Sequence, residues 1–186
     1  MKAAETDLLF VPGYTGSGPD HWQTRWANHF SNGSVLGDID YDTPNRAAWT
    51  GALREAIFLA TRPVVLIGHS MGVATIVHTA RTLTDTKVRG AFLVGYADVT
   101  ANDWIPGGEA EFAPIPRQPL QFPSILVASR NDPYCRYDIA DELGGAWGSM
   151  VVDAGEAGHI NSASGHGPWP EGSLLFGKFL SRLSSS

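Results

Sequence analysis

The sequence predicts an α/β protein with one mostly parallel six-stranded sheet, helices on both faces and no large lid. Three observations indicate this fold class. Short apolar runs alternate with longer amphipathic stretches, the runs are apolar on both faces, and the chain has 186 residues. Such alternation is typical of parallel sheets whose two faces are covered by helices. Because this length corresponds to one domain, we expect residues 1–186 to fold as a single unit.

The strand patterns follow one another along the chain. A weak pattern, interrupted by polar residues, lies at 34–39, and the strong runs span 8–11, 64–67, 91–94, 125–128 and 150–152. Helices are predicted at 21–30, 46–60, 71–83, 139–147 and 174–183. The stretch 98–122 lacks clear periodicity and contains four prolines, which is typical of a functional or poorly ordered loop.

Composition argues against several classes of function. Acidic residues outnumber basic ones by 19 to 13, which disfavours nucleic acids and anionic membranes as partners. The single cysteine, Cys135, rules out an internal disulfide and cysteine-based metal sites, and we expect no metal and no other cofactor. A redox role for Cys135 is disfavoured because the nearby Asp132 opposes a thiolate. We find no signal-peptide pattern and no membrane-spanning run, and therefore expect a cytoplasmic protein.

The most informative motif is Gly-His-Ser-Met-Gly at 68–72, between a predicted strand and a predicted helix. In this setting a serine occupies a strained turn that exposes its hydroxyl, and the flanking glycines let strand and helix approach closely. The start of the helix favours negative charge that develops nearby. Ser70 is therefore the candidate nucleophile, and we expect His69 to pack beside it in the substrate pocket. The alternative is a glycine-rich turn with an incidental serine.

A base and an acid are expected further along the chain, in the order serine, acid, histidine. His159 follows the last predicted strand, and its rival His166 lies seven residues later. Asp132 follows the strand at 125–128, and Asp98, one strand earlier, is the alternative acid. We interpret His159 as the general base that takes the proton of Ser70, with Asp132 holding the histidine tautomer.

Two backbone N–H groups are expected to stabilise the oxyanion. One belongs to Met71, the residue after the nucleophile. The second should come from the glycine-rich loop 12–18, with Tyr14 as the first candidate and Thr15 as the next. This loop has no lysine and no Gly-Lys-Ser/Thr ending, which argues against nucleotide binding.

Three apolar residues of the long loop are candidates for the substrate pocket. They lie downstream of a strand end, where open α/β sheets bind ligands. They are Trp104, Ile105 and Phe112. They either form an apolar wall for the acyl group or plug the core beneath the loop.

These motifs together resemble a family of small α/β-hydrolases that contains the retinoblastoma-binding serine hydrolase and related short bacterial serine hydrolases. The resembling segments are spread over most of the chain, at 11–14, 21–23, 68–72, 129–133, 158–161 and 165–172. The resemblance implies a minimal α/β-hydrolase fold, a triad of Ser70, Asp132 and His159, and hydrolysis of carboxylic esters.

We expect a serine hydrolase that cleaves small or short-chain esters through an acyl-enzyme. The substrate should be small because only the stretch 98–122 remains to cover the site. Two alternatives stay open, an amidase or aminopeptidase with the same triad and a protein-binding member without catalysis. The expected partner is a small acyl substrate, and the sequence leaves the oligomeric state open, with a monomer as one option.

Overall fold

The computed structural model describes residues 5–84, 87–100 and 111–183. Within these residues a single sheet contains six strands: β1 (Asp7–Val11), β2 (Gly33–Val35), β3 (Val64–His69), β4 (Val88–Val94), β5 (Ser124–Ala128) and β6 (Met150–Asp153). The strands are ordered β2-β1-β3-β4-β5-β6, and every neighbouring pair is parallel. The six-stranded α/β prediction is confirmed.

The helices that cover this sheet lie close to their predicted positions. They are α1 (Trp22–His29), α2 (Arg46–Leu59), α3 (Met71–Ala80), α4 (Tyr137–Trp147) and α5 (Pro170–Arg182), and a 3₁₀ turn spans Ser162–Ser164. Helix α5 begins four residues before the predicted start, because Pro170 occupies its first turn, where proline needs no hydrogen-bond donor. Among the described residues, no helix is both long and apolar enough to cross a bilayer.

The four central strands, β1, β3, β4 and β5, lie between two hydrophobic cores and are mostly buried on both faces. Along β1, Leu8 and Phe10 face the core beneath α1 and α5, whereas Leu9 and Val11 face the core beneath α2, α3 and α4. These four side chains are nearly or completely buried. Full burial of a side chain of this size contributes about 1.5–3 kcal/mol. Because alternate side chains of β1 enter opposite cores, this one strand packs against the helices on both faces of the sheet.

The order of the strands creates a crevice at one edge of the sheet. Strand β2 lies on one side of β1, and β3 lies on the other side. The direction in which the chain adds successive strands to the sheet therefore reverses between β1 and β3. Ligands of open α/β sheets bind outside the carboxyl ends of the strands at such a reversal. The loop after β1 and the turn after β3 both leave the sheet at this point.

Helix α3 approaches the end of β1 so closely that only glycine fits between them. A Cβ atom at position 72 would lie 1.9 Å from the carbonyl oxygen of Val11. One at position 13 would lie 2.7 Å from the Cβ atom of Ser70. Backbone rather than a flexible side chain occupies the space beside Gly72, so the clash cannot be relieved by a rotamer change.

We expect Gly72→Ala to lower the free energy of unfolding by about 3 kcal/mol, because α3 and β1 must separate to admit the methyl group. Chemical denaturation measures the effect. Gly177→Ala is the matched control: Gly177 lies in the interior of α5, with open space where its Cβ would stand. There the same change should stabilise the protein by about 0.5–1 kcal/mol. Equal effects of the two substitutions would contradict the close approach of α3 to β1.

Candidate active site

Ser70 occupies the turn between β3 and α3 in a conformation that L-residues rarely adopt. Its φ is 57° and its ψ is −125°. The Ser70 N–H donates to the Val94 carbonyl at 3.1 Å, which fastens the turn to β4. The Ser70 side chain does not cap α3, although it stands at the N-cap position. A strained residue held by its surroundings is a common feature of functional sites.

His159 and Asp132 form a buried pair at the same edge of the sheet. The Nδ1 atom of His159 lies 2.8 Å from Asp132 Oδ2 and 3.0 Å from Oδ1. The two side chains are only 7% and 3% exposed. The Tyr134 N–H donates to Asp132 Oδ1 at 2.9 Å and orients the carboxylate. Because a carboxylate accepts, Nδ1 carries the proton and Nε2 of neutral His159 retains its lone pair.

The loops that carry the acid and the base are joined by hydrogen bonds that we call the loop clasp. The Ala157 N–H donates to Ser129 Oγ at 2.9 Å, and the Gly158 N–H donates to Asn131 Oδ1 at 2.7 Å. These bonds fix the backbone on both sides of the pair. The roles of Ser129 and Asn131 could not be recognised from the sequence, although the segment around Asp132 could.

Gly95 provides the space in which the pair lies. Its φ is +54°, and a Cβ atom there would stand 3.2 Å from the His159 carbonyl oxygen and 3.6 Å from Asp132 Oδ2. A side chain at this position would press on both the acid and the backbone of the base. Sequence reasoning missed Gly95, although a glycine directly after the apolar run of β4 was a usable signal.

His69 lines the cavity and supports the base through its backbone. Its Nε2–H donates to the His159 carbonyl at 2.8 Å. Burial lowers the pKa of His69 well below its ordinary value, and the nearby His159 and His21 lower it further. The ring is therefore neutral near neutral pH.

The first turn of α1 ties three parts of the site together. Trp22 donates through Nε1–H to the Ile160 carbonyl at 2.8 Å, next to the base. The buried Gln23 amide donates to the carbonyl oxygens of Val11 at 3.3 Å and Ile67 at 3.0 Å, at the ends of β1 and β3. Trp22 thus anchors α1 to the loop of the base, and the Gln23 bridge was not anticipated. Its bond to Ile67 joins residues that are 44 positions apart in the sequence.

His21 precedes these residues as the N-cap of α1. Its Nδ1 accepts the Gln23 N–H at 3.1 Å. Burial, with a smaller effect from the nearby His159, lowers the pKa of His21 to about 4. The other ring nitrogen, Nε2, is buried without a hydrogen-bond partner among the described residues.

These groups surround a cavity of about 550 Å³, a volume typical of ligand pockets. Its walls come from the loop after β1, from Tyr134 and from the segment that carries His159, and Ser70 also lines it. Among the described residues that line it there is no Lys, Arg, Asp or Glu. In the parts of the chain that the structure describes, no three His, Cys, Asp or Glu side chains are grouped as a metal ion would require.

The loop after β1 lies directly against the turn of Ser70. A Cβ atom at Gly13 would stand 3.1 Å from the Met71 nitrogen. The Thr15 N–H donates to the Tyr41 carbonyl at 2.9 Å, so this second candidate for the oxyanion donor is already engaged. Tyr14, the first candidate, lines the cavity.

The predicted apolar wall needs a correction. Phe112 is fully buried, its ring lies 5.8 Å from that of Trp49, and it does not line the cavity. Packing against α2 and α3 therefore accounts for Phe112, which plugs the core. Trp104 and Ile105 lie outside the described residues.

The rival acid and base have other partners. The Oδ1 atom of Asp98 accepts the N–H and the hydroxyl of Thr100, at 2.9 and 2.7 Å. His166 lies 3.2 Å from Ser164 Oγ through its Nδ1 and lines a different cavity. The structure therefore brings together Ser70, His159 and Asp132, and it does not bring either rival into the group.

Comparison of the chain with known proteins identifies similar sequences and structures. A family model described as serine hydrolase matches residues 8–178. A YdeN-like hydrolase of Pectobacterium atrosepticum is 31% identical, with a TM-score of 0.84 over 94% of this chain and 90% of that one. No curated protein sequence matches the chain.

Two more distant structures show the fold alone. The ydeN gene product of Bacillus subtilis is 15% identical, with a TM-score of 0.71 over 95% of this chain and 100% of that one. The esterase RhEst1 of a Rhodococcus species is 15% identical, with a TM-score of 0.67 over 98% and 93%. The similarity to the retinoblastoma-binding member stays a prediction.

We expect acid to destabilise the fold through His21. Its pKa is about 4 in the native state and 6.5 when unperturbed, so the unfolded chain binds more protons between these values. The contribution of neutral His21 is complete above pH 6.5 and is lost as the pH falls towards 4, a loss of about 1–2 kcal/mol at pH 5. His69 acts in the same direction.

His21→Asn isolates this contribution. When the pH falls from 7 to 5, the unfolding free energy of the wild type should drop by about 1–2 kcal/mol more than that of the variant. Denaturant titrations at each pH measure it, with His29→Asn as the control for loss of an exposed histidine on the same helix. A constant difference would show that His21 does not resist protonation.

Proposed function

Because the chain belongs to the serine hydrolase family, we propose that it hydrolyses small or short-chain carboxylic esters through an acyl-enzyme on Ser70. The observation that carries the proposal is the buried contact of 2.8 Å between Asp132 and His159, beside a cavity that also contains Ser70. A serine in a strained turn, a histidine with a free Nε2 and an acid on Nδ1 are the groups that nucleophilic acyl transfer requires.

In the first half of the reaction, Ser70 Oγ attacks the ester carbonyl while its proton passes to Nε2 of His159. Asp132 keeps the accepting nitrogen free by holding the proton on Nδ1, and it stabilises the imidazolium that forms. The tetrahedral intermediate then expels the alcohol oxygen, which takes the proton from His159. The acyl group stays on Ser70 as an ester.

The oxyanion is proposed to bind the backbone N–H groups of Met71 and Tyr14. Met71 is the first residue of α3, where N–H groups have no partner within the helix and the dipole favours negative charge. Support for Tyr14 comes from the contact of its neighbour Gly13 with the Ser70 turn and from the engagement of Thr15 elsewhere. Each donor of this kind contributes about 3–4 kcal/mol to transition-state stabilisation.

In the second half, a water molecule attacks the acyl-enzyme. His159 takes a proton from the water and returns it to Ser70 Oγ, so the carboxylic acid leaves and the enzyme is regenerated. A small, uncharged acyl group suits a cavity of about 550 Å³ whose described walls carry no formally charged Lys, Arg, Asp or Glu side chain.

We expect Ser70→Ala to lower kcat on a p-nitrophenyl ester by at least about 10⁴-fold, because no other group replaces the nucleophile. A fluorophosphonate probe should label the wild type and not the variant. The control is Ser181→Ala, which removes an exposed hydroxyl from α5 and should retain both activity and labelling. A folded wild type that neither labels nor hydrolyses esters would overturn the proposal.

We expect kcat/KM to be higher for acetate and butyrate esters than for dodecanoate esters, because the cavity holds a short acyl chain. A series of p-nitrophenyl esters of increasing acyl length, assayed below the aggregation concentration of each, measures this preference. Steady improvement up to twelve carbons would contradict the inference from cavity size while leaving the serine mechanism in place.

A further inference from the structure

One residue of the cavity wall presents a buried donor that the proposed mechanism does not use. His21 is only 6% exposed, and its ring lines the same cavity as Ser70 and His159. Its Nε2 has no hydrogen-bond partner among the described residues. A buried donor without a partner has lost its hydrogen bonds to water, so such a group is stabilised when a ligand supplies an acceptor.

The protonation of this ring follows from its position at the start of α1. The Nδ1 atom accepts the Gln23 N–H at 3.1 Å and therefore carries no proton in the neutral ring. The proton is thus on Nε2, which makes the buried nitrogen a donor. Burial lowers the pKa of His21 to about 4, so the ring offers an uncharged N–H at neutral pH.

The neighbours of His21 indicate which part of the substrate it faces. The ring of His69 lies 4.7 Å from that of His21 and 4.8 Å from that of His159, so His69 contacts both. The leaving oxygen must stay near Nε2 of His159, which returns its proton. The acyl chain is then left for the part of the cavity that His21 lines.

We propose that His21 is a specificity-determining residue whose Nε2–H binds an uncharged oxygen in the acyl chain of the substrate. The preferred substrates are therefore small esters with an ether, hydroxyl or carbonyl oxygen beyond the scissile carbonyl, rather than plain alkanoates. An uncharged acceptor matches a neutral donor in a cavity lined by no formally charged Lys, Arg, Asp or Glu among the described residues. This inference rests on the proposed esterase function and extends it to the acyl group.

Two esters of equal shape test the proposal. The p-nitrophenyl esters of butyrate and methoxyacetate differ by one methylene replaced by an ether oxygen. Their intrinsic reactivities differ, but that difference cancels when the ratio of their kcat/KM values is compared between wild type and variant. In His21→Asn the amide oxygen can still cap α1, but the side chain is too short to put a donor at the position of Nε2.

We expect the ratio of methoxyacetate to butyrate to fall about tenfold in His21→Asn, the loss typical of a hydrogen bond of this kind. His21→Gln is the complementary variant, since its amide nitrogen reaches the position of Nε2 while the cap is weakened. It should keep the ratio within about threefold of wild type although its melting temperature falls. A purely structural histidine predicts no change of ratio in either variant.

The outcomes separate this inference from the function on which it rests. If both esters are hydrolysed and Ser70 is labelled, but the ratio is unchanged in His21→Asn, the inference is wrong and the esterase function stands. An equal loss on both esters also overturns it, because the donor would then serve the oxyanion or the fold. If the wild type neither labels nor hydrolyses either ester, the proposed function fails and the inference fails with it.

Discussion

The geometry of the candidate site depends on the contact between α3 and the end of β1. Gly72 lets the backbone of the helix touch the Val11 carbonyl, and Gly13 in turn lies against Ser70. The same contact brings the loop after β1 beside the first N–H groups of α3. With the tether from Ser70 N–H to Val94, it holds the serine in a conformation that is unfavourable for an isolated residue. The strain is thus maintained by packing that involves β1, β3, β4 and α3 together.

The central part of the fold could be predicted from the sequence because its signals are local. Strands buried on both faces read as continuous apolar runs, and each run lies within a strand of the structure. The edge strand β2 was harder to predict. Strand β2 covers only Gly33–Val35 rather than 34–39, since after Leu36 the chain turns away through Asp38, whose φ is 58°. An edge strand has one partner, so its sequence carries a weaker pattern.

Chain order and strand ends allowed Ser70, Asp132 and His159 to be placed near one another from the sequence, and their catalytic roles stay predictions. The other features of the site could not be predicted, because they depend on contacts between residues that are distant in the sequence. Gln23 reads as an ordinary helical glutamine until the structure places its amide on two strand ends. No signal in the sequence indicated a role for His21, and only three-dimensional burial shows that one of its nitrogens lacks a partner among the described residues. Phe112 was ambiguous for the same reason, since an apolar loop residue suits a pocket and a core equally well.

The loop clasp divides the candidate site into two parts along the chain. The acid, the base and the bonds that align them all lie between residues 129 and 159, within the single unit formed by β5, α4 and β6. Ser70 and the loop after β1 belong to the preceding part of the chain. The first part is held by the bond from Ser70 N–H to Val94, and the second part is held by the loop clasp. The two parts meet where His69 Nε2–H donates to the His159 carbonyl, so a shift at this contact would misalign the nucleophile and the base without disturbing either part.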